Sequence, residues 1–176
     1  HPVEFGAQAL MGVVDRATGL AREEIDDVIV GCAMPYGVQG WNMSKLILQR
    51  AQFPDSVPSQ TVNRFCSSGL QALALANNAI RCGEESVIVA GGVETMSLVS
   101  MALDPSTHDP WLAEHRPEAY IAMGLTAENV ARRYHVSRED MDAMAAESHR
   151  RAAEAWAKGC FDSQIIPVTF QDEDGR

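Results

Sequence analysis

Basic residues are scarce in this sequence. Lys and Arg together number 14 against 24 Asp and Glu, which gives a formal net charge of -10. Proteins that bind nucleic acid or anionic lipid normally present a basic surface, so we expect neither nucleic acid nor a membrane as a partner. A phosphate-bearing small molecule stays compatible with this charge, because a few local basic side chains and helix N-termini are enough to bind one.

Long apolar runs and closely spaced cysteines are also missing. No apolar stretch approaches the roughly 20 residues that span a bilayer. The cysteines include no CxxC pair and no Cys/His pair at zinc spacing: Cys32, Cys66, Cys82 and Cys160. We therefore expect no metal site, and reduced thiols in a reducing compartment, either the cytoplasm or, in a eukaryote, an organelle matrix. Any targeting signal is expected upstream of His1.

The spacing of apolar residues predicts alternating helices and strands in the first hundred residues. In chain order these are a helix over 3–18, a strand at 28–30, a helix over 43–51, a strand at 61–65, a helix over 67–82 and a strand at 87–90. The strands at 28–30 and 87–90 are continuously apolar, which is typical of parallel strands covered on both faces. The helix over 67–82 is apolar nearly all round, so we expect it to be buried inside a layered protein. The last three elements form a βαβ unit.

The composition changes beyond the last of these strands. Residues 101–122 are rich in Pro, His and acidic side chains and indicate an excursion from the sheet. A helix is predicted from about Thr126, and a second one follows the S-x-x-D capping pattern of Ser137 and Asp140. Residues 165–170 are predicted to form a strand that returns to the sheet, with its proline placing it at an edge or at a strand start.

Cys66 stands at the junction between the strand at 61–65 and the helix over 67–82. In open α/β sheets, sites gather at the carboxyl ends of strands. A helix N-terminus favours a thiolate, and the backbone N–H of Cys66 is able to donate to a developing oxyanion. The neighbouring Ser67 is small and lets a substrate approach closely. The competing interpretation is that Cys66 fills the core, since free cysteine is among the most buried residue types.

Other reactive side chains give weaker signals. The three remaining cysteines are expected to be structural, and the spacing of the histidines does not complete a triad with Cys66. The arginine pairs at 132–133 and 150–151 are able to meet phosphates, but a solvated helix face is the simpler explanation. Met96 and Met123 are candidates to line an acyl pocket, against the more common role of methionine in filling a core or an interface.

Three segments resemble the motifs of one enzyme family. Residues 62–72, VNRFCSSGLQA, closely resemble the thiolase motif around the cysteine that accepts the acyl group. Residues 90–97, AGGVETMS, and residues 123–130, MGLTAENV, are similar to a second and a third thiolase signature. The similarity runs over nearly the whole chain, which is therefore identified as the amino-terminal part of a thiolase.

The resemblance implies a fold. We expect an α/β protein, the first half of the thiolase fold, with a mostly parallel sheet, a buried central helix and a mainly helical loop domain. The implied boundaries are an amino-terminal half-domain at 1–100, a loop domain at 101–162 over the active site, and a return strand with a polar tail at 163–176. The family's first strand is expected upstream of His1. Strand 61–65 pairs across a dimer axis in relatives, which implies a homodimer or homotetramer.

The resemblance also implies an activity, that of a 3-ketoacyl-CoA thiolase or an acetyl-CoA acetyltransferase, as in fatty acid β-oxidation. Cys66 then attacks the 3-keto carbon and holds the acyl group as a thioester until coenzyme A collects it. Acyl-CoA and coenzyme A are substrates, and no cofactor is bound permanently. Ser67 and Met123 are the candidate substrate-binding residues. Ala122 replaces the His that acetoacetyl-CoA-specific members carry, which favours a degradative enzyme of broader chain length.

Part of the thiolase pattern is missing from this sequence. The family's second half carries an Asn-Glu-Ala motif, a Gly-His-Pro motif and a second cysteine, and its His activates the nucleophile. Because these motifs do not occur here, we expect a carboxy-terminal half, separate or missing, as the partner of this chain. Removing such groups from a concerted site costs several orders of magnitude in rate, so we expect this chain alone to be inactive.

Two other functions stay open. A non-catalytic half-thiolase module would bind acyl-CoA or a partner subunit without transferring an acyl group. An unrelated cysteine hydrolase would require a His or an Asp beside Cys66.

Overall fold

The computed structural model describes residues 1–101 and 104–170 of the chain. It divides into two compact units, one comprising residues 1–101 with the segment from 166 onward and the other running from 102 to 165. The domain boundaries expected at residues 100 and 162 remain predictions. No helix in the described ranges combines the length and apolar character needed to cross a membrane.

The first unit is an α/β layer. Its elements are the helices α1 (Pro2–Arg16), α2 (Met43–Arg50) and α3 (Ser68–Cys82) and the strands β1 (Asp27–Gly31), β2 (Ser59–Val62) and β3 (Ile88–Gly92). The strands form a parallel sheet in the order β2-β1-β3, in which Val28 of β1 lies opposite Ser59 on one side and Val89 on the other. The predicted α/β class and the parallel sheet are confirmed.

The core lies on both faces of β1. Every residue of this strand is buried, which confirms the prediction that it is covered on both sides. Val28 and Val30 point to the cluster formed with α1 and α2, where Ala7 and Leu10 are buried. Ile29 points the other way, to the cluster that contains Ala72 and Ala76 of α3. β1 is therefore the centre of the unit, with two helices on one face and one on the other.

Three predictions in this unit need correction. The strand predicted at 61–65 begins at Ser59 and ends at Val62, because the next residues turn away from the sheet. The helix α3 is covered on one face only: Ala72 and Ala76 are buried, whereas Leu70 is 70% exposed. β3 is likewise half-buried rather than fully covered. The helix α3 therefore forms an outer layer of this unit. The prediction that it is buried all round is correct for one side of the helix and wrong for the other.

The second unit is mainly helical, as predicted. It contains α4 (Pro110–His115), α5 (Met123–Tyr134) and α6 (Arg138–Ala157). The hydroxyl of Ser137 accepts a hydrogen bond from the backbone N–H of Asp140 at 3.1 Å, which confirms the predicted capping pattern. The helix predicted from Thr126 begins three residues earlier, and the Thr126 hydroxyl donates to the carbonyl oxygen of Ala122 within its first turn.

The return strand predicted at 165–170 is not formed. The side-chain amide of Gln8 on α1 takes both backbone groups of Thr169, accepting from its N–H at 2.9 Å and donating to its carbonyl oxygen at 2.8 Å. Pro167 supplies no N–H to a ladder, so side-chain contacts hold this segment where strand pairing was expected. The predicted polar tail at 171–176 lies outside the described residues.

Candidate active site

A tight turn carries Cys66 from the end of β2 to the start of α3. The side-chain oxygen of Asn63 accepts a hydrogen bond from the backbone N–H of Phe65 at 2.8 Å, and the Ser67 hydroxyl donates to the carbonyl oxygen of Arg64 at 2.9 Å. Phe65 has a φ of 46°, a left-handed conformation that a bulky side chain rarely adopts. These contacts end the strand and leave the Cys66 side chain exposed to solvent.

Ser68 holds this turn from inside. Its side chain is nearly completely buried, with 3% of the residue exposed. The hydroxyl accepts a hydrogen bond from the backbone N–H of Arg64 at 2.9 Å and donates to the carbonyl oxygen of Phe65 at 2.5 Å. Sequence reasoning did not single out Ser68, whose hydroxyl bonds backbone groups of the two residues before the cysteine.

The first turn of α3 rests on the ends of β1 and β3. A Cβ atom placed on Gly31 would lie 2.3 Å from the backbone carbonyl carbon of Ser68, and one placed on Gly92 would lie 3.3 Å from the carbonyl oxygen of Gly31. Glycine at the end of β1 therefore lets the helix approach the sheet closely, and glycine at the end of β3 leaves room for the neighbouring strand. The signal was present in the sequence as glycine after each buried strand.

A cavity of about 360 Å³ opens at this junction. Its lining residues come from the carboxyl ends of β1 and β3, from the loops that follow them and from the start of α3: Gly31, Ala33, Met34, Phe65, Cys66, Ser68, Gly69, Gly92, Val93, Glu94, Met96 and Met101. The position of Cys66 agrees with the rule that sites in open α/β sheets gather at the carboxyl ends of strands. The wall is mostly apolar, which suits an organic substrate more than an ion.

A buried amide lies behind this wall. Gln39, in a short 3-10 helix at Gly37–Gln39, is 0% exposed, and its amide nitrogen donates to a carboxylate oxygen of Glu94 at 2.5 Å. The other carboxylate oxygen of Glu94 accepts from the backbone N–H of Ala33 at 2.8 Å. Burial and the negative charge of Glu94 raise the pKa of the nearby Cys32 thiol. Cys32 is thus a protonated core residue, in agreement with the structural role predicted for it.

The other candidate substrate-contact residues differ in position: Ser67 and Met96 belong to the first unit and Met123 to the second. Ser67 is exposed at the N-cap of α3 and does not line the cavity, although it adjoins Cys66 in the chain. Met123 begins α5 in the second unit, where its side chain is largely exposed. Met96 does line the cavity. Among the described lining residues the ionisable side chains are those of Cys66 and Glu94, so this wall contains no histidine.

The arginine pair at 150–151 has a simpler explanation than phosphate binding. Arg150 and Arg151 both bind the carboxylate of Glu147 on the exposed face of α6, and their hydrogen bonds hold the pKa of Glu147 below its usual range. This supports the solvated helix face for that arginine pair. No set of three His, Cys, Asp or Glu side chains in the described parts of the chain is arranged to hold a metal ion.

Known proteins match this chain along its whole length. The family described as "Thiolase, N-terminal domain" matches residues 1–176. The 3-ketoacyl-CoA thiolase of Bacillus subtilis (strain 168) is 47% identical over 168 residues, which are 96% of this chain and 43% of that protein. The acetyl-CoA acetyltransferase of Allochromatium vinosum is 39% identical over 184 residues, covering 98% of this chain and 46% of that protein.

The fold is also matched by a solved structure. The crystal structure of the Bacillus anthracis acetyl-CoA acetyltransferase superposes with a TM-score of 0.83 at 36% identity, covering 98% of this chain and 46% of that one. The chain therefore spans a little under half the length of the relatives that it matches.

Proposed function

This chain belongs to the thiolase family, whose amino-terminal domain matches all of its residues, and from that premise we propose that it supplies the nucleophile of an acyl transfer between coenzyme A thioesters. The nucleophile is Cys66. The observation that supports this role is the placement of an exposed thiol on a mostly apolar cavity, at the N-terminus of α3 and the carboxyl ends of β1 and β3. The acyl chain lies along the apolar wall.

The proposed chemistry proceeds in two half-reactions. The Cys66 sulfur bonds to the 3-keto carbon of a 3-ketoacyl-CoA while the carbonyl electron pair moves onto the oxygen. The pair then returns as the bond between C2 and C3 breaks, and the electrons of that bond leave with acetyl-CoA as an enolate, which takes a proton at C2. The thiolate of coenzyme A next attacks the thioester and releases Cys66 as a thiolate. Condensation of acetyl-CoA is the same sequence reversed.

The turn and the helix contribute to the charged stages of this reaction. Negative charge develops on the substrate oxygen when the sulfur adds, and backbone N–H groups at the start of a helix stabilise such charge. Ser68 and Gly31 hold the start of α3 against β1, so these N–H groups are fixed before the substrate arrives. Fixed dipoles stabilise a transition state without the cost of reorganising.

The general base and the proton donor belong, in this proposal, to a carboxy-terminal thiolase half, either on the same polypeptide or on another. The exposed side of α3 offers a surface for that partner: Leu70, Leu73 and Ile80 are exposed along it. Apolar patches of this kind mark contact surfaces. Ser67 and Met123 stay proposed substrate-binding residues, and we expect a homodimer or homotetramer, with coenzyme A as substrate rather than as a resident cofactor.

Intact-mass spectrometry tests the proposal. The native protein that carries this sequence is incubated with acetoacetyl-CoA, and peptide mapping locates the added mass. We expect one acetyl group on Cys66 and its removal when coenzyme A is added. Cys66→Ala is expected to abolish the adduct, whereas the matched variant Cys82→Ala, at the exposed cysteine that ends α3, retains it. Binding of acyl-CoA without an adduct would instead favour the non-catalytic module.

A further inference from the structure

Two loops complete the wall of the cavity that Cys66 lines. The loop after β1 contributes Ala33 and Met34, and the loop after β3 contributes Glu94 and Met96. The ladder between the two strands ends at Gly31 and Gly92. Beyond that point the relative position of the loops depends on side-chain contacts, and a substrate held against Cys66 contacts both.

One amide joins the two loops. The nitrogen of the Gln39 side chain donates to the carbonyl oxygen of Met34 at 2.9 Å and to Glu94 at 2.5 Å, and its oxygen accepts from the backbone N–H of Thr95. Gln39 itself is completely buried, and its partners Met34, Glu94 and Thr95 are half-buried. The amide nitrogen and the amide oxygen both bond residues that line or border the cavity wall.

The carboxylate of Glu94 completes the connection. One of its oxygens accepts from Gln39 and the other from the backbone N–H of Ala33, 61 residues away in the chain. Hydrogen bonds to an ionised carboxylate are about twice as strong as those between neutral groups. The Gln39–Glu94 pair thus links the loop after β1 to the loop after β3. Neither residue belongs to the turn that carries Cys66.

We propose that Gln39 and Glu94 are positioning residues of the acyl-transfer site. They fix the two wall loops relative to the carboxyl end of the sheet, and this fixes where the carbonyl carbon of the acyl group rests against the sulfur of Cys66. The inference depends on the proposed function of Cys66. A purely structural pair would alter stability and the reactivity of every buried or half-buried group, whereas a positioning pair alters acyl transfer to Cys66 specifically.

The test compares two reactions of the same thiol in the native protein that carries this sequence. The first is single-turnover acetylation of Cys66 by acetoacetyl-CoA, which requires a positioned substrate. The second is alkylation of Cys66 by iodoacetamide, which does not. The variants are Glu94→Gln, Gln39→Glu and the exchanged double variant Gln39→Glu/Glu94→Gln. Gln49→Glu serves as a matched control for Gln39→Glu, because Gln49 is exposed on α2 and the two substitutions change the charge equally.

We expect acetylation to slow about ten- to hundredfold in Glu94→Gln and Gln39→Glu, the size of effect that a misplaced substrate produces. The rate of Cys66 alkylation is expected to stay within about twofold of that of the unmodified protein, because iodoacetamide reacts without a positioned substrate. The exchanged double variant is expected to acetylate faster than Gln39→Glu, because an amide again faces a carboxylate. Gln49→Glu is expected to behave as the unmodified protein.

Each other outcome overturns a distinct claim. If the unmodified protein is not acetylated, the proposed function fails and this inference falls with it. If the unmodified protein is acetylated and both single variants acetylate at its rate, only the positioning role is wrong. The positioning role is also wrong if alkylation and acetylation slow by the same factor, since the pair would then support the fold alone. Glu94→Gln keeps two amides in place and preserves the test should Gln39→Glu fail to fold.

Discussion

Gly31 and Ser68 are in backbone contact: a Cβ atom added to Gly31 would lie 2.3 Å from the carbonyl carbon of Ser68. The end of the central strand therefore sets how closely the first turn of α3 approaches the sheet, and with it the position of Cys66. A side chain at position 31 would find no space here, because the obstructing atoms belong to backbone and cannot rotate away.

Gly31→Ala is expected to displace the first turn of α3. Overpacking a tight contact costs about 1–3 kcal/mol of unfolding free energy, and a collision with backbone lies at the upper end. Urea denaturation measures the loss. The control is Gly91→Ala, since a Cβ atom at Gly91 meets no heavy atom within 4 Å. Equal stability of the two variants would contradict the close contact.

Ser68→Ala is expected to loosen the turn that carries Cys66. It removes the buried hydroxyl that accepts from the backbone N–H of Arg64 and donates to the carbonyl oxygen of Phe65, and the loss of two hydrogen bonds costs about 1–3 kcal/mol. Ser67→Ala is the matched change at an exposed hydroxyl, and we expect a loss below about 1 kcal/mol there. Denaturation midpoints of the two variants, with the acetylation rate of Cys66 beside them, decide the question. A larger loss at Ser67 would reverse this assignment.

Asp26 is expected to make stability depend on pH in the acid range. Hydrogen bonds from the backbone N–H groups of Val87 and Ser86 lower the pKa of this carboxyl in the folded state. A folded-state pKa below the unfolded one means that the stabilisation is fully present above about pH 4 and is lost as the pH falls through the lowered value. Denaturation midpoints between about pH 2 and pH 7 should fall less steeply in Asp26→Asn than in the exposed control Asp55→Asn. Parallel pH profiles would count against this role.

The exposed side of α3 is expected to make the isolated chain self-associate. Leu70 and Leu73 present apolar surface that a partner covers in the proposed assembly. Leu70→Lys should therefore lower light scattering of the isolated chain with little change in unfolding free energy. Ala72→Lys, on the buried side of the same helix, should instead unfold it. A clean monomer of the unaltered chain at high concentration would show that this surface needs no partner.

Local patterns predicted most of the fold. The spacing of Ala7, Leu10 and Val14 placed α1 within two residues of its bounds, and the apolar run at 28–30 identified the strand that is buried on both faces. The position of Cys66 between strand and helix also followed from the chain itself. These features depend on neighbours within one or two turns, which periodicity reports directly.

Long-range contacts account for what was missed. The end of β2 depends on a turn held by Asn63 and Ser68, which the β-forming character of the preceding residues conceals. Residues 165–170 do not form the predicted strand, and Thr169 instead bonds the side chain of Gln8, which is 161 residues away in the chain. The Gln39–Glu94 pair is separated by 55 residues, so neither side chain carried a local signal. Thiolase motifs identified the family, whereas residue spacing alone left a cysteine hydrolase as an alternative.

The order of strands has a consequence for synthesis on the ribosome. Of the three described strands, β1 leaves the ribosome first, and its two partners follow later. Val28 of β1 pairs with Ser59 of β2 and then with Val89 of β3. A nascent chain that ends before β3 exposes one unpaired edge of the strand that is the most buried of the three in the folded unit, and such edges invite pairing with other chains. Because the last partner also brings Glu94, the same stretch that protects the nascent sheet from aggregation closes the wall around Cys66.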